Sequence, residues 1–80
     1  MNNEIKDKVT QDLKESGGLR AEYIITDNPF ETISVKWKEG LFALQSLVPP
    51  KESKIIILNS REALDIVAFI KAVHSLTKEA

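Results

Sequence analysis

The pattern of apolar and polar residues divides the chain into a leading helix, four strands and a closing helix. Near the start, Ile5, Val9 and Leu13 recur every four residues and form a narrow apolar stripe on a charged helix. Asn2 or Asn3 can cap its first turn, and Ser16 with the glycines at 17–18 ends it. The stripe predicts a peripheral helix that docks on a larger body. Mixed charges on its other face favour this over a membrane-surface helix.

Four segments in the middle of the chain have the composition of strands. Residues 32–38 alternate between polar and apolar almost throughout, and residues 19–26 do so in their first half. Glu39 and Gly40 form a two-residue hairpin loop, so the strand predicted over 41–48 returns beside 32–38. The Asp-Asn-Pro sequence at 27–29 predicts a turn. Residues 54–59, which include three consecutive isoleucines, are predicted as the fourth strand.

The hairpin loop fixes the register, and the register assigns the two faces of the sheet. Lys38 lies opposite Leu41, Trp37 opposite Phe42, and the remaining pairs follow as 36 with 43, 35 with 44 and 34 with 45. One face is the predicted core face, which carries Ile33, Val35, Trp37, Phe42 and Leu44. Alternation adds Ala21, Tyr23, Ile25, Ile55 and Ile57 to it and turns Ile24, Ile56 and Leu58 outward.

The last segment predicts a helix over residues 60–76 that covers the core face. Asn59, with Glu62 three residues later, has the spacing of a capping box. Apolar positions from Ala63 to Leu76 cover about half of the helix circumference at ~100° per residue. This arc is wider than one sheet needs, so we expect a second covering body, either the first helix or another subunit with Val67 and Leu64 in contact.

Composition limits the chain to one small domain, residues 1–80, divided into 1–18, 19–59 and 60–80. A chain of 80 residues buries only about 60% of its unfolded surface, which favours a homodimer. The sequence has no cysteine, no apolar run long enough to span a membrane and no signal-peptide pattern. We therefore expect a cytoplasmic protein that does not act at a membrane.

The charges of the chain indicate a function only when they are assigned to the two faces of the predicted sheet. The formal net charge is −1, which does not suit a protein that coats DNA generally. The outer face of the predicted sheet nevertheless carries Arg20, Lys36, Lys38 and Lys54 against Glu22, four positive charges and one negative, or +3. The apolar residues of that face also predict a partial cover, for which the first helix or a dimer partner is favoured over a ligand.

Catalytic chemistry finds little support in the sequence. His74 is the only histidine, and it has no cysteine or suitably spaced acid with which to bind a metal. No nucleophile and base constellation can be assigned, and we expect neither catalysis nor a cofactor. Trp37 lies between two lysines, but alternation turns it to the opposite face and into the core. Phe30 is the better candidate for an exposed aromatic that stacks bases, although it can equally close one end of the core.

The stretches 33–44 and 54–64, each a strand that runs into a turn or a capped helix, resemble a known class. They are similar to the Pur-alpha and Whirly repeats and to the single-stranded-DNA-binding domain of positive cofactor four, over residues 33–76. The resemblance implies a four-stranded antiparallel meander followed by a helix. It also implies dimers, and single-stranded DNA or RNA bound on the sheet surface, with Lys36, Lys38 and Lys54 as phosphate contacts.

Together these patterns predict an α+β domain with an N-terminal helix, a four-stranded antiparallel meander and a C-terminal helix on one sheet face. The predicted function is non-catalytic binding of single-stranded nucleic acid by Arg20, Lys36, Lys38, Lys54 and Phe30. The alternative is a protein-interaction or assembly module that self-associates through its sheet face or C-terminal helix.

Overall fold

The computed structural model describes residues 3–27, 32–46 and 56–77 of the chain. These residues form an α+β fold in which a three-stranded antiparallel sheet, ordered β1-β2-β3, lies between two helices in the sequence. The elements are α1 (Asn3–Ser16), β1 (Arg20–Asp27), β2 (Thr32–Lys38), β3 (Leu41–Ser46) and α2 (Ser60–Thr77). The predicted helices and the first three strands are confirmed within one to two residues over the part of the chain described.

The fourth predicted strand is not seen. Residues 56–59 belong to no strand, and residues 54–55 lie outside the described residues. Ile57, predicted to point into the core, is 80% exposed, whereas Ile56 and Leu58, predicted to point outward, are half-buried. Alternation assigns faces only when a neighbouring strand supplies a ladder, and this segment has none in its described part. The prediction for Ile57 is therefore wrong.

The hairpin between β2 and β3 confirms the predicted register in full. Trp37 lies opposite Phe42, and the other pairs run from Lys38 with Leu41 to Ile33 with Ser46. Glu39 and Gly40 have φ angles of 50° and 91°, which are the positive values that a tight two-residue hairpin loop requires. Glycine adopts such a φ without steric penalty, so the Glu-Gly sequence fits this loop at its second position.

β1 pairs with the other side of β2 and contains a bulge. Ala21 lies opposite Trp37 and Tyr23 opposite Val35, so these side chains share the inner face of the sheet. The register shifts between Ile24 and Thr26, which inserts one extra residue into β1. Ala21 is buried, and Tyr23 and Ile25 pack against the core, so the inward assignment of these three residues is confirmed.

α1 contributes more to the core than its narrow stripe predicts. Ile5, Val9 and Leu13 are all buried, and they belong to one cluster with Ala21 and Val35 of the sheet. Gly17 has φ of 69°, and the N–H of Gly18 donates to the carbonyl of Leu13 at 2.7 Å, which closes the helix with a Schellman motif. The first helix thus packs on the inner face of the sheet rather than covering the outer one.

α2 joins the same face through a short apolar contact. Its start has the predicted capping box: the N–H of Asn59 donates to Glu62 Oε1 at 3.0 Å, and the N–H of Glu62 donates to Asn59 Oδ1 at 2.8 Å. Phe69 and Val73 are its two buried residues and complete the core cluster with α1. The second body that the wide apolar arc of α2 required is therefore, at least in part, α1.

The two helices cover β1 and β2 but leave β3 open. α1 packs on β1, and α2 packs on α1, β1 and β2. Phe42 and Leu44, which the register places on the inner face, are 44% and 41% exposed. Both residues were predicted to lie in the core, and that prediction is wrong. They lie on the predicted face of the sheet, but the helices that cover this face end before they reach β3.

Candidate functional site

The predicted basic face is formed on the outer side of β1 and β2. Arg20 lies opposite Lys38 and Glu22 opposite Lys36, so all four side chains project from the same face. Lys36 Nζ is 3.9 Å from Glu22 Oε2, and both side chains are exposed. Over positions 20–24 and 34–38 of this face, three positive charges against one negative leave +2. Lys54 and Phe30, the other predicted site residues, lie outside the described residues.

Aromatic residues are not found on this outer face within the described strands. Tyr23, Trp37 and Phe42 all belong to the inner face by register. Trp37 is half-buried and packs against the core cluster, as the alternation of β2 predicts. The described outer face therefore offers cations for phosphate groups but no aromatic ring for bases.

Part of the outer face is covered. Ser34, between Ile24 of β1 and Gln45 of β3, has no exposed surface, although both neighbours are exposed. Its Oγ has no hydrogen-bond partner among the described residues. A buried hydroxyl without a partner is unfavourable by about 1–3 kcal/mol.

A polar groove of about 580 Å³ lies beside α1, β1 and β2, and its β2 wall consists of Lys36, Trp37 and Lys38. Its walls include Lys8, Asp12 and Ser16, one turn apart on α1, together with Arg20 and Glu22. These groups already bond to one another across the groove. Asp12 accepts from the N–H of Glu22, Lys8 donates to the carbonyl of Glu22, and Ser16 Oγ accepts from the N–H of Arg20. We therefore interpret the groove as a joint between helix and strand.

A second surface, on the opposite side of the sheet, is apolar and open. It consists of Phe42 and Leu44 on the inner face of β3 and of Val67 and Ile70 on α2, all of them exposed; we call these four residues the open apolar surface. The ring of Phe42 meets that of the buried Phe69 edge-on, with centroids 6.2 Å apart and planes at 80°. This contact joins the β3 part of the surface to α2.

The orientation of α2 places Val67 and Ile70 on the side that faces away from β1. Arg61 and Asp65 act electrostatically on Tyr23 of β1, so their flank of the helix faces β1. At ~100° per residue, Ile70 lies about 100° from Phe69 on the side away from Asp65, whereas Val67 lies about 160° from Phe69, almost opposite the buried face. Leu64, predicted with Val67 as a dimer contact, is also exposed one turn earlier. Of these exposed residues, Ile70 therefore lies nearest in angle to the contact between Phe69 and Phe42.

Reactive chemistry is sparse in the described residues. They contain no group of three or more histidine, cysteine or acidic side chains that could hold a metal ion, and His74 is exposed on α2. Burial raises the pKa of the Tyr23 hydroxyl, the carboxylates of Glu4 and Asp65 raise it further, and the Arg61 guanidinium lowers it. Tyr23 is half-buried and packs against the core cluster. Neither described helix is long and apolar enough to cross a membrane.

Comparison of the chain with protein-family models, with curated proteins and with solved structures finds no match. The interpretation of both surfaces therefore depends on their geometry.

Proposed function

We propose that this protein is a non-catalytic assembly module that binds a second copy of itself. The observation that carries the proposal is the open apolar surface, whose strand part contacts α2 through the rings of Phe42 and Phe69. Soluble monomers rarely expose large contiguous apolar patches, and those that do usually bind a partner there. None of Phe42, Leu44, Val67 and Ile70 carries charge, so two copies can meet without electrostatic repulsion.

The size of the domain supports the same proposal. A chain of 80 residues has a small core, and here eight apolar residues are buried in the described part. Burial of Phe42 and Leu44 against a second copy adds apolar area that the monomer leaves in water. This gain is about 25 cal/mol per Å² of apolar surface.

Sedimentation equilibrium from low to high micromolar concentration tests the proposal. We expect a dimer whose dissociation constant rises at least tenfold in Val67→Lys and in Ile70→Lys. Both side chains are exposed in the monomer, so the fold of the variants should be retained. Leu19→Lys is the matched control, because Leu19 is equally exposed beside β1, at the far side of the sheet. A protein that stays monomeric throughout this range contradicts the proposal.

Binding of single-stranded nucleic acid is the second candidate function. The observation in its favour is that Arg20, Lys36 and Lys38 share one sheet face although the whole chain has a net charge of −1. Such a face binds phosphates and leaves base recognition to residues elsewhere. Titration of a labelled single-stranded oligonucleotide at two salt concentrations tests this candidate, and absence of binding at low salt excludes it.

A further inference from the structure

The two edges of the sheet differ in how the described part of the chain covers them. At β1, α1 lies along the edge, and side chains of Lys8, Asp12 and Ser16 bond to the backbone of Arg20 and Glu22. β3 pairs with β2 alone in the described part of the chain, and its sequence from Leu41 to Ser46 contains no charge and no proline. Proteins normally protect a free edge with charges, proline, bulges or a covering element. An edge without these devices is suited to pairing with another strand.

We propose that β3 pairs in antiparallel fashion with β3 of a second copy, which extends the sheet to six strands around a two-fold axis. This inference depends on the self-association proposed above and gives that association its geometry. A two-fold interface uses the same patch on both partners. Because β3 has no charged residue, two copies of it can pair without electrostatic repulsion. A strand such as β2, which carries two lysines, would repel its own copy if it lay at the edge.

The hairpin determines which backbone groups are available for this pairing. Lys38 and Leu41 flank the two-residue loop, so they form a hydrogen-bonded pair, and Ala43 bonds toward β2 in the same way. The N–H and C=O groups of Phe42 and Leu44 therefore point away from β2, to the edge that pairs with no other strand in the described part of the chain. They are the groups that a new antiparallel strand would bind.

The side chains select one register. Phe42 opposite the partner's Leu44 brings the exposed apolar residues of each inner face together twice, once on each side of the axis. Ala43 then lies opposite the partner's Ala43 on the outer face, and Leu41 lies opposite the partner's Gln45. A shift of two residues in one direction places Phe42 opposite the partner's Ser46, and a shift in the other direction places Leu44 opposite the partner's Gly40 in the loop, so each loses part of this apolar match.

The lengths of β3 and α2 indicate which elements a dimer interface must include. β3 has six residues and is about 20 Å long, and α2 has 18 residues and is about 27 Å long. A standard interface buries ~800 Å² on each partner, which is more than a single strand edge supplies. The strand edge alone is too narrow, so we expect the helix flank to contribute.

Cysteine cross-linking tests the register directly, because the natural chain has no cysteine. In the proposed pairing, the two copies of residue 43 form a non-hydrogen-bonded pair with Cα atoms about 4.5 Å apart, within the range for a disulfide. Ala43→Cys should therefore convert most of the protein into a disulfide-linked dimer under mild oxidation. Gln45→Cys is the control: it is exposed on the same face, but its two copies would lie about 13 Å apart.

The outcomes separate this inference from the function on which it rests. Efficient cross-linking of Ala43→Cys, with little cross-linking of Gln45→Cys, supports the strand pairing. If the natural protein is a dimer by sedimentation but the two variants cross-link equally, or Ala43→Cys does not cross-link, the pairing is overturned and the assembly function remains. A monomer in sedimentation overturns both. Slower amide exchange at Phe42 and Leu44 with rising protein concentration gives independent support; unchanged exchange in a dimer contradicts the pairing.

Discussion

The carboxylate of Asp12 bonds at once to a helix neighbour and to the backbone of a strand. Its Oδ2 atom accepts from Lys8 Nζ at 2.6 Å and from the N–H of Glu22 at 3.0 Å. Lys8 in turn donates to the carbonyl of Glu22 at 3.0 Å. One pair of oppositely charged side chains, one turn apart on α1, thus occupies both backbone groups of a residue at the edge of β1. This closes the edge to other strands.

Removing this carboxylate should weaken the joint between α1 and β1. Asp12→Ala should lower the free energy of unfolding by about 1–2 kcal/mol, because the Glu22 N–H loses its partner and Lys8 loses its ion pair. Asp12→Asn keeps an acceptor for the N–H and should lose about half as much. Urea unfolding followed by the fluorescence of Trp37, the single tryptophan, measures both. Asp7→Ala is the control on the exposed side of α1; an equal loss there would show that Asp12 has no special role.

The edge-to-face contact between Phe42 and Phe69 predicts unequal contributions from its two rings. Phe69 is fully buried, so Phe69→Ala should lower the free energy of unfolding by about 3–5 kcal/mol. Phe42 is 44% exposed, and Phe42→Ala should lower it by only about 1–2 kcal/mol in the monomer. A cycle of Phe42→Leu and Phe69→Leu should give a coupling of about 0.5–1.5 kcal/mol. Additive effects of the two leucine substitutions would show that the rings do not interact.

Local patterns predicted most of the secondary structure because their causes are local. The Glu39–Gly40 loop fixed the pairing of β2 with β3, and the spacing of Asn59 and Glu62 fixed the start of α2. The strand predicted at 54–59 had no such local cause. Its three isoleucines are residues that strands favour, but the segment lacks the alternation of polar and apolar residues. Residue type favours a strand only where a neighbour is available to pair with it, and the sequence does not show which edge is free.

Exposure and edge protection could not be predicted in the same way. The register gave Phe42 and Leu44 the correct face, but the extent of the layer above them depends on how α1 and α2 share that face. The polar contacts of α1 were missed because Lys8 and Asp12 have the pattern of solvated helix residues. One feature of the sequence indicates these contacts: the polar residues at positions 8, 12 and 16 recur every four residues, directly beside the buried stripe at 5, 9 and 13.

The raised pKa of Tyr23 predicts that the folded protein loses stability at alkaline pH. Burial first, and then Glu4 and Asp65, raise the pKa of its hydroxyl in the folded protein. The unfolded chain therefore loses the phenolic proton first, near the ordinary pKa of about 10. The stabilisation is complete below that pH and is lost as the pH rises through the folded pKa. Absorbance of the single tyrosine near 295 nm should give a raised titration midpoint that returns to its ordinary value in urea.

Tyr23→Phe isolates this effect from the titration of lysines, which occurs over the same pH range. The variant lacks the ionisable hydroxyl but retains the ring that packs against the core. Its melting temperature should decline less steeply above pH ~10 than that of the natural protein. Parallel declines in the two proteins would mean that Tyr23 has the same pKa in the folded and unfolded states.

The last prediction concerns the basic outer face and distinguishes specific binding of phosphates by this face from an effect of the net charge of the protein. If Arg20, Lys36 and Lys38 contact phosphates, their combined replacement by glutamate should abolish binding of a single-stranded oligonucleotide and change the melting temperature little, since all three are surface residues. With three phosphate contacts, the logarithm of the binding constant should fall with the logarithm of salt concentration with a slope of about −2. The matched control is glutamate at Lys6, Lys14 and Lys71, exposed lysines on the two helices, which changes the net charge equally. Equal loss of binding in both triple variants would show that net charge alone determines the affinity, and the face would then have no specific role.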